Sequence, residues 1–471
     1  MRLQKFMSLL LSCIMLCLSF QANCLSIYAE ALSAAEPTTD SDGTQAWNKS
    51  LGTDAYPQFS GKAVSYISEH GEEVYSNTNI SCNNHSYVNG ICKTCGEYEV
   101  PTLENGAYQL SNYGELVWFQ QYVDADNTGA NAVLTADITA NKNLLKEDGS
   151  VSDVPVYKWT PIGRDLKLYY TGTFDGNGHI ISGLYSYSDD YYDYCGLFAK
   201  MKGTIKNLGI VDSYFGGKNC YHAASFAGYA VEGSVIENCF SDSSVVGYAY
   251  CGGIAGETYG KISNCYYIGK ITADSTDSNA ISSDKYNRGT LENCYYLESC
   301  GLSTTRAVGK TAEQFASGDV CYILKSSENN LVWGQNLSSE GSMPVLTSDE
   351  ELRVYRVTTV KDDASSSYYS NSSCTLPADD TGYWIDENGK VLYSPAKITK
   401  DTTITFKQFV SVLGDVNQNG KVEKADAAAV LRHVSGISLI SDEAELLLAD
   451  VNRDGNVDVR DAVEIIKKAA A

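Results

Sequence analysis

A short repeated motif in the middle of the chain constrains its fold more than any other feature. A glycine, an apolar residue and an asparagine recur at matching offsets in segments 203–208, 233–239, 260–265 and 289–294. The asparagines of neighbouring copies are 31, 26 and 29 residues apart. Units with such short apolar strands cannot bury a face alone, whereas stacked units share one continuous core. The repeat therefore predicts a right-handed parallel β-solenoid over residues 102–301, in a chain that is mainly β.

The repeat also predicts which residues occupy equivalent places in successive coils. Apolar residues at the second motif position should stack along the inner face, and cysteines should form a buried column beside them. The asparagines should bond their side-chain amides to the backbone of the next coil, which is a structural role. Segments 116–119 and 132–138 are expected to form the first coils. The predicted columns are Ile205, Ile236, Ile262 and Leu291; Cys239, Cys265 and Cys294; and Asn207, Asn238, Asn264 and Asn293.

Together with the entry segment 173–184, these repeats resemble the GLUG-motif repeats of bacterial surface and secreted proteins. The resemblance implies an architecture and says little about activity. Some immunoglobulin A-cleaving metallopeptidases carry such repeats, but this sequence contains no His-Glu-x-x-His motif.

Two near-copies of one acidic loop lie 35 residues apart near the end of the sequence. Calcium takes about six to eight oxygen ligands, and a twelve-residue loop supplies them from positions 1, 3, 5, 7 and 12, with glycine at position 6 for the sharp turn. Position 9, here Glu423 or Asp458, can act through water. The predicted ligands are Asp415, Asn417, Asn419, Lys421 and Asp426 in the first loop, and Asp450, Asn452, Asp454, Asn456 and Asp461 in the second. The sequence thus predicts two bound calcium ions.

A helical pattern of apolar residues follows each loop, and no convincing helix precedes either one. This pair of units resembles a type I dockerin domain, assigned to residues 411–471. The resemblance implies a cohesin module of a scaffold protein as the partner. It places the partner-reading residues at the tenth and eleventh loop positions, here Lys424 and Ala425, then Val459 and Arg460. The two pairs differ, so the second pair is predicted to dominate binding.

Four residues near the N-terminal side form a candidate zinc site. Cys82, His85, Cys92 and Cys95 make two close ligand pairs about a short turn, as tetrahedral zinc requires, and so short a segment has little core of its own. The alternatives are a disulfide in an oxidising medium or a site that has lost its metal.

The start of the sequence and its charge both indicate an extracellular protein. Arg2 and Lys5 precede an apolar run, and Ala29 to Ala31 offer a cleavage site for a signal peptide. The run is too short to span a membrane comfortably, and no later segment is apolar enough, so no transmembrane segment is predicted. A net charge of −23 argues against nucleic acid as a partner.

No catalytic residues are predicted. The best acidic candidates for a glycosidase or lyase are Asp175, Asp189, Asp190 and Asp193, but their separation cannot be judged from sequence. Phosphate-binding and nucleophile-elbow motifs are absent from the sequence. Tyrosines between Tyr185 and Tyr194 could stack on sugar rings, which would make polysaccharide a second ligand.

These observations favour a secreted, non-catalytic accessory component of an extracellular polysaccharide-degrading complex. A carbohydrate-active enzyme and an adhesin are the alternatives. The predicted organisation is a signal peptide (1–31), an N-terminal segment resembling the array-closing one (32–78), a zinc-knuckle-like segment (79–101), the solenoid (102–301), a closing segment (302–349), a small β spacer module (350–410) and the dockerin (411–471).

Overall fold

The computed structural model describes residues 65–67, 74–76, 85–152, 157–164, 169–191, 193–283, 288–324, 327–328 and 331–471. The predicted signal peptide, most of the segment 32–78, and Cys82 lie outside these residues. Two compact units divide the chain, Met1–Glu97 and Tyr98–Ala471. Within the described residues, no helix combines the length and apolar character needed to cross a membrane.

The described part of the first unit consists of two antiparallel hairpins. The first pairs Ser65 with Ser76, and the second pairs Tyr87 with Cys92. Asn89 and Gly90 form the turn of the second hairpin with φ of 49° and 75°, as a tight turn between paired strands requires. The strands are β1 (Ser65–Ile67), β2 (Val74–Ser76), β3 (Tyr87–Val88) and β4 (Ile91–Cys92).

A parallel β-solenoid of about four turns forms the centre of the second unit, which confirms the predicted fold class. Fifteen strands form its largest sheet, and a second sheet has the order β13-β16-β18-β22. Its strands are β5 (Thr102–Glu104), β6 (Ala107–Leu110), β7 (Asn131–Leu134), β8 (Ile138–Thr139), β9 (Thr173–Asp175), β10 (Ile180–Ser182), β11 (Tyr185–Ser186), β12 (Tyr194–Cys195), β13 (Phe198–Met201), β14 (Thr204–Gly216), β15 (His222–Ala223), β16 (Ala227–Ala230), β17 (Val235–Gly247), β18 (Ala255–Thr258), β19 (Lys261–Ser263), β20 (Tyr266–Tyr267), β21 (Lys270–Ala273), β22 (Ser282–Ser283), β23 (Thr290–Glu292), β24 (Tyr295–Leu297) and β25 (Val308–Lys310).

The predicted apolar and cysteine columns both exist. Ile205 pairs with Ile236, Ile236 with Ile262, and Ile262 with Leu291, and the three isoleucines are fully buried. The cysteines of the second column are buried beside them, and all eleven cysteines among the described residues are free thiols. Burial raises the pKa of Cys265 and Cys294 well above its usual range, and that of Cys251 to about 12. They therefore act as small apolar side chains.

The asparagine column is present, but its bonding differs from the prediction. Each side-chain amide donates to the side-chain oxygen of the preceding coil: Asn238 to Asn207 at 3.0 Å, Asn264 to Asn238 at 3.3 Å and Asn293 to Asn264 at 3.0 Å. Asn207 donates to the carboxylate of Asp175 at 3.1 Å. All four asparagines have φ between 52° and 55°, so successive coils present like side chains to one another. We call this row the asparagine ladder.

Residues 116–119, expected as a strand of the first coil, lie instead in helix α1 (Tyr113–Asp124). The Asn112 side chain caps this helix by accepting from the N–H of Glu115 at 3.0 Å. Leu116, Phe119 and Val123 are fully buried, and Phe119 packs against the ring of Phe174 in the solenoid. A four-residue apolar run fits a buried strand and one face of a helix equally well, which explains the error.

The segment after the solenoid packs against its outer side. Trp333 belongs to one buried cluster with Phe240 and Tyr266 of the solenoid strands and with Phe315. Its elements are α2 (Ala312–Ala316), α3 (Asp319–Ile323), β26 (Ser327–Glu328), β27 (Leu331–Gly334) and β28 (Val345–Thr347), and short 3-10 turns lie at Glu298–Cys300 and Glu350–Leu352.

A small β module follows, with the strand order β30-β29-β35-β32-β33. Val357, Trp384 and Ile404 form its core, and the predicted hairpin at 386–390 joins β32 to β33. Its strands are β29 (Tyr355–Lys361), β30 (Ala364–Ser370), β31 (Ser373–Cys374), β32 (Gly382–Ile385), β33 (Val391–Leu392), β34 (Ala396–Lys397) and β35 (Thr402–Gln408). The last elements are helices α4 (Lys424–Val434), α5 (Glu443–Ala449) and α6 (Val459–Ala470).

Candidate functional site

The first acidic loop is curled around its own carboxylates. Backbone N–H groups of Asn419 and Gly420 donate to the two oxygens of Asp415, at 3.0 and 2.7 Å. At the other end, the N–H groups of Asn417 and Glu423 donate to Asp426 at 3.1 and 2.8 Å. Gly420 has φ of 88°, the conformation expected of glycine at position 6. Backbone hydrogen bonds within the loop thus hold both the first and the last predicted ligand in place.

The second loop repeats this geometry residue for residue. Asp450 accepts from the N–H groups of Asp454 and Gly455 at 3.2 and 3.0 Å. Asp461 accepts from those of Asn452 and Asp458 at 3.1 and 2.9 Å. The backbones of the two loops therefore follow the same path, although several of their side chains differ.

The loops fit calcium because they bury negative charge. Asp415, Asp426, Asp450 and Asp461 are all buried. Burial, together with the neighbouring carboxylates of Asp461 and Asp454, raises the pKa of Asp450 to about 6. Buried carboxylates that repel one another need a cation to compensate them. The carboxylate and amide oxygens of both loops are the ligands that calcium prefers.

The helices after the loops form one shared core. Equivalent residues of the two copies, 35 positions apart, meet there: Val416 and Val451, Ala427 and Ala462, Val430 and Ile465. The sequence missed one element: helix α5 directly precedes the second loop and ends at Ala449, with Asp450 as its C-cap. Asp442 caps it by accepting from the N–H groups of Ala444 and Glu445. An N-terminal aspartate before a short leucine-rich run was the available signal.

The predicted partner residues are exposed at the start of helices α4 and α6. The Arg460 guanidinium is held by Asp454 and Asp458, each at 2.6 Å, so it is tied to the second loop. Val459 is 52 % exposed, and Val463 and Ile466 are exposed on the same face of α6 at helical spacing. We call Val459, Val463 and Ile466 the α6 stripe.

The β module contacts the second calcium loop. The Tyr393 ring lies over Gly455, where a Cβ atom would come within 3.3 Å of it. Arg453 pairs with Asp380 at 3.5 Å, and its guanidinium lies 5.8 Å from the centre of the Phe409 ring. Only the second loop has these neighbours among the contacts described, so the two acidic loops differ in surroundings although they share one geometry.

Three of the four predicted zinc ligands come together. His85, Cys92 and Cys95 place their ligand atoms within 4.8 Å of one another, and the Cys95 Sγ lies 3.4 Å from His85 Nδ1. Burial would raise the pKa of Cys92, but the N–H groups of Cys95 and Thr94 and the His85 ring outweigh it and lower that pKa. The fourth ligand, Cys82, lies outside the described residues, and zinc binding stays a prediction.

Three of the four acidic candidates for catalysis in the solenoid, Asp175, Asp189 and Asp193, have carboxylates that are engaged in other bonds. Asp175 ends the asparagine ladder and pairs with Lys206 at 3.7 Å. Asp193 pairs with Arg164 at 2.7 Å, and Asp189 accepts from the hydroxyl of Tyr187. The backbone N–H of Asp190 donates to the hydroxyl oxygen of Ser188 at 3.2 Å.

A histidine–carboxylate pair that the sequence did not reveal joins strands β15 and β18 of the solenoid. His222 Nε2 is 3.4 Å from a Glu257 oxygen, and the Tyr259 hydroxyl donates to the other oxygen at 2.9 Å. Burial raises the pKa of Glu257, but the hydrogen bonds from His222 and Tyr259 more than offset it, so the pKa is lowered. The two residues are 35 positions apart, and only the stacking of coils brings them together.

The comparisons with known proteins identify the C-terminal module. Residues 413–468 match the family model of the dockerin type I domain. Dockerin type I domains generally bind calcium, and such a domain implies attachment to a cellulosome-like complex through a cohesin. The GLUG resemblance is not confirmed by this match.

The comparison with curated proteins gave no match. Among solved structures, the chain is similar to a protein named as a candidate immunoglobulin A1 protease of Bacteroides ovatus. The two are 19% identical with a TM-score of 0.34, over 52% of this chain and 93% of the other. A likeness this weak carries no information about function.

Proposed function

We propose that this protein is a secreted, non-catalytic accessory component of an extracellular polysaccharide-degrading complex. Its dockerin, loaded with two calcium ions, binds a cohesin of a scaffold protein, and its β-solenoid is displayed for binding or spacing. The observation that carries this proposal is the pair of equivalent acidic loops with buried carboxylates, within a segment that matches the dockerin model.

The ligands proposed for each ion follow from the loop geometry. In the first loop they are Asp415, Asn417, Asn419, the Lys421 carbonyl and Asp426; in the second, Asp450, Asn452, Asp454, the Asn456 carbonyl and Asp461. The internal hydrogen bonds hold the first and last carboxylates of each loop in place.

The cohesin contact is assigned to the second copy, because helix α6 presents the α6 stripe at its surface. A few residues at the well-packed centre of an interface usually contribute most of the binding free energy. The α6 stripe starts next to Arg460, whose guanidinium is held in place, and offers such a centre. In the first copy, Lys424 is the residue equivalent to Val459. Helix α4 therefore begins with Lys424 and Ala425 and has no apolar residue like Val459 at its first position.

Matched charge substitutions test this assignment. Val463→Asp in the α6 stripe is expected to weaken binding to the source organism's cohesins at least tenfold, measured by titration calorimetry with calcium present. Leu431→Asp at the exposed surface of α4 is the control and is expected to have a small effect. Equal losses in both variants would refute the preference for the second copy. Binding that persists in chelator would refute the calcium-dependent attachment itself.

The non-catalytic role is supported by the bonds that engage the solenoid carboxylates. The full chain is therefore expected to leave plant polysaccharides and starch uncleaved in reducing-end assays. Turnover that disappears in Asp175→Asn or Asp193→Asn would favour the carbohydrate-active enzyme instead.

A further inference from the structure

Aromatic side chains from three successive coils form a continuous surface on one side of the solenoid. Tyr194 stacks on His222 at 4.7 Å between ring centres, and His222 stacks on Tyr250 at 5.1 Å. Beside this row, Tyr221 lies 5.4 Å from Tyr191 and 5.2 Å from Tyr248. We call these six residues the tyrosine face: Tyr191, Tyr194, Tyr221, His222, Tyr248 and Tyr250.

The chain positions of these residues explain the stacking. Tyr194 and His222 are register partners in the parallel strands β12 and β15, and Tyr250 follows at the same place in the next coil. Because parallel coils place equivalent residues directly above one another, a ring at that place in each coil makes a stack. The face is therefore as rigid as the solenoid below it.

The tyrosine face is accessible and amphipathic. Tyr191 is 50 % exposed and Tyr248 is 39 % exposed. Between residues 130 and 300 of the described chain, the large exposed apolar side chains are all tyrosines: Tyr169, Tyr187, Tyr191 and Tyr248. Exposed tyrosines offer ring faces with a hydroxyl group on each.

Fixed polar groups lie beside the rings. The Glu257 carboxylate is held by His222 and Tyr259, and Lys200 places its ammonium 5.7 Å from the centre of the Tyr194 ring. Lys200 and Glu257 are two strands apart in one sheet, each in register with Tyr229. A second cation, Arg288, also acts on the Glu257 carboxylate, and Lys200 itself is buried.

We propose that the tyrosine face binds a neutral polysaccharide chain. A pyranose ring has flat patches of C–H groups that pack on aromatic rings, and hydroxyl groups at its edge that bond to fixed polar groups. The face combines both features over three coils, which suits an extended chain better than a single sugar. A polyanionic glycan is disfavoured, because the protein carries a net charge of −23. This inference does not depend on the cohesin attachment.

Affinity electrophoresis of the calcium-loaded full chain in gels containing xyloglucan, galactomannan or starch tests the proposal. At least one of these gels is expected to retard the protein, and the double variant Tyr191→Ala/Tyr248→Ala is expected to lose at least tenfold in affinity. Tyr187→Ala is the matched control, because Tyr187 is 51 % exposed and stacks on Tyr185, and neither residue belongs to the tyrosine face. It is expected to bind as the unchanged protein does.

Folding and chemistry are checked on the same variants. Glu257→Gln keeps the shape of the side chain and is expected to weaken binding by severalfold, which guards against misfolding of the double variant. Cohesin binding, measured in parallel, should be unchanged in all of them. The proposal is overturned by the absence of retardation in all three gels, by equal losses in the Tyr187 control, or by stronger binding to polygalacturonate.

Discussion

The asparagine ladder gives the sharpest test of how the solenoid is held together. Asn238 is buried in the middle of the ladder, has φ of 52°, donates to Asn207 at 3.0 Å and accepts from Asn264 at 3.3 Å. Replacing it with alanine removes both bonds and leaves two partner groups without a ladder bond. It also places alanine, whose side chain makes no hydrogen bond, in the left-handed region.

The size of the effect follows from these contacts. Leaving the buried Asn207 oxygen unsatisfied costs about 1–3 kcal/mol and losing the bond from half-buried Asn264 about 1 kcal/mol, and alanine at positive φ adds about 1 kcal/mol. The expected loss in the free energy of opening the solenoid is therefore about 3–5 kcal/mol for Asn238→Ala. Asn293 ends the ladder at an exposed position, so Asn293→Ala should lose only about 1–2 kcal/mol. The variant Asn238→Gly loses the same bonds as Asn238→Ala but has no strain at positive φ. It should therefore be about 1 kcal/mol more stable than the alanine variant.

Hydrogen exchange of peptides from residues 198–270 is the suitable assay, because a chain with several domains does not unfold in one step. Exchange is measured on the full protein with calcium present, and protection factors give the local free energy of opening. Equal losses at positions 238 and 293 would show that the ladder bonds do not stabilise the core. A glycine variant less stable than the alanine variant would refute the role assigned to positive φ.

Three further predictions concern the metal sites. Calcium affinity of the second loop should fall as the pH drops below about 6, because protons then compete at Asp450, whose pKa is raised; calorimetry at pH 5 and pH 7 that gave equal affinities would contradict this. Tyr393→Ala should weaken calcium binding at the second loop severalfold and leave the first unchanged, since only Gly455 is covered by that ring. Elemental analysis should find one zinc per protein, lost in Cys92→Ser; an oxidised Cys92–Cys95 pair without zinc would refute the site.

The repeats allowed the solenoid core to be predicted in detail. The isoleucine and cysteine columns follow from spacing alone, because parallel coils superpose equivalent positions. Helix α1 was misassigned as strand, since its apolar run is short and its capping residue, Asn112, was overlooked. Helix α5 was missed for a similar reason: seven residues are too few to show a clear period.

The candidate sites also differ in how much of each could be predicted from the sequence. The two acidic loops were predictable because the residues of each loop are local in sequence, and the calcium ligands assigned to them stay predictions. The pairing of His222 with Glu257 was not, because the two residues come from different coils whose loops vary in length. The tyrosine face was only partly visible: the tyrosines near residue 190 were noted, whereas Tyr221 and Tyr248 join them through stacking.

The sequence by itself determined the elements that depend on local spacing: two equivalent acidic loops, a parallel solenoid with its buried columns, and a dockerin at residues 413–468. The tertiary structure decided how the asparagines bond to one another, which helices lie beside the solenoid and the second loop, and which aromatic rings meet on one face. These depend on the relative position of residues from separate coils and modules. That position is set by packing of the whole chain, which no local pattern encodes.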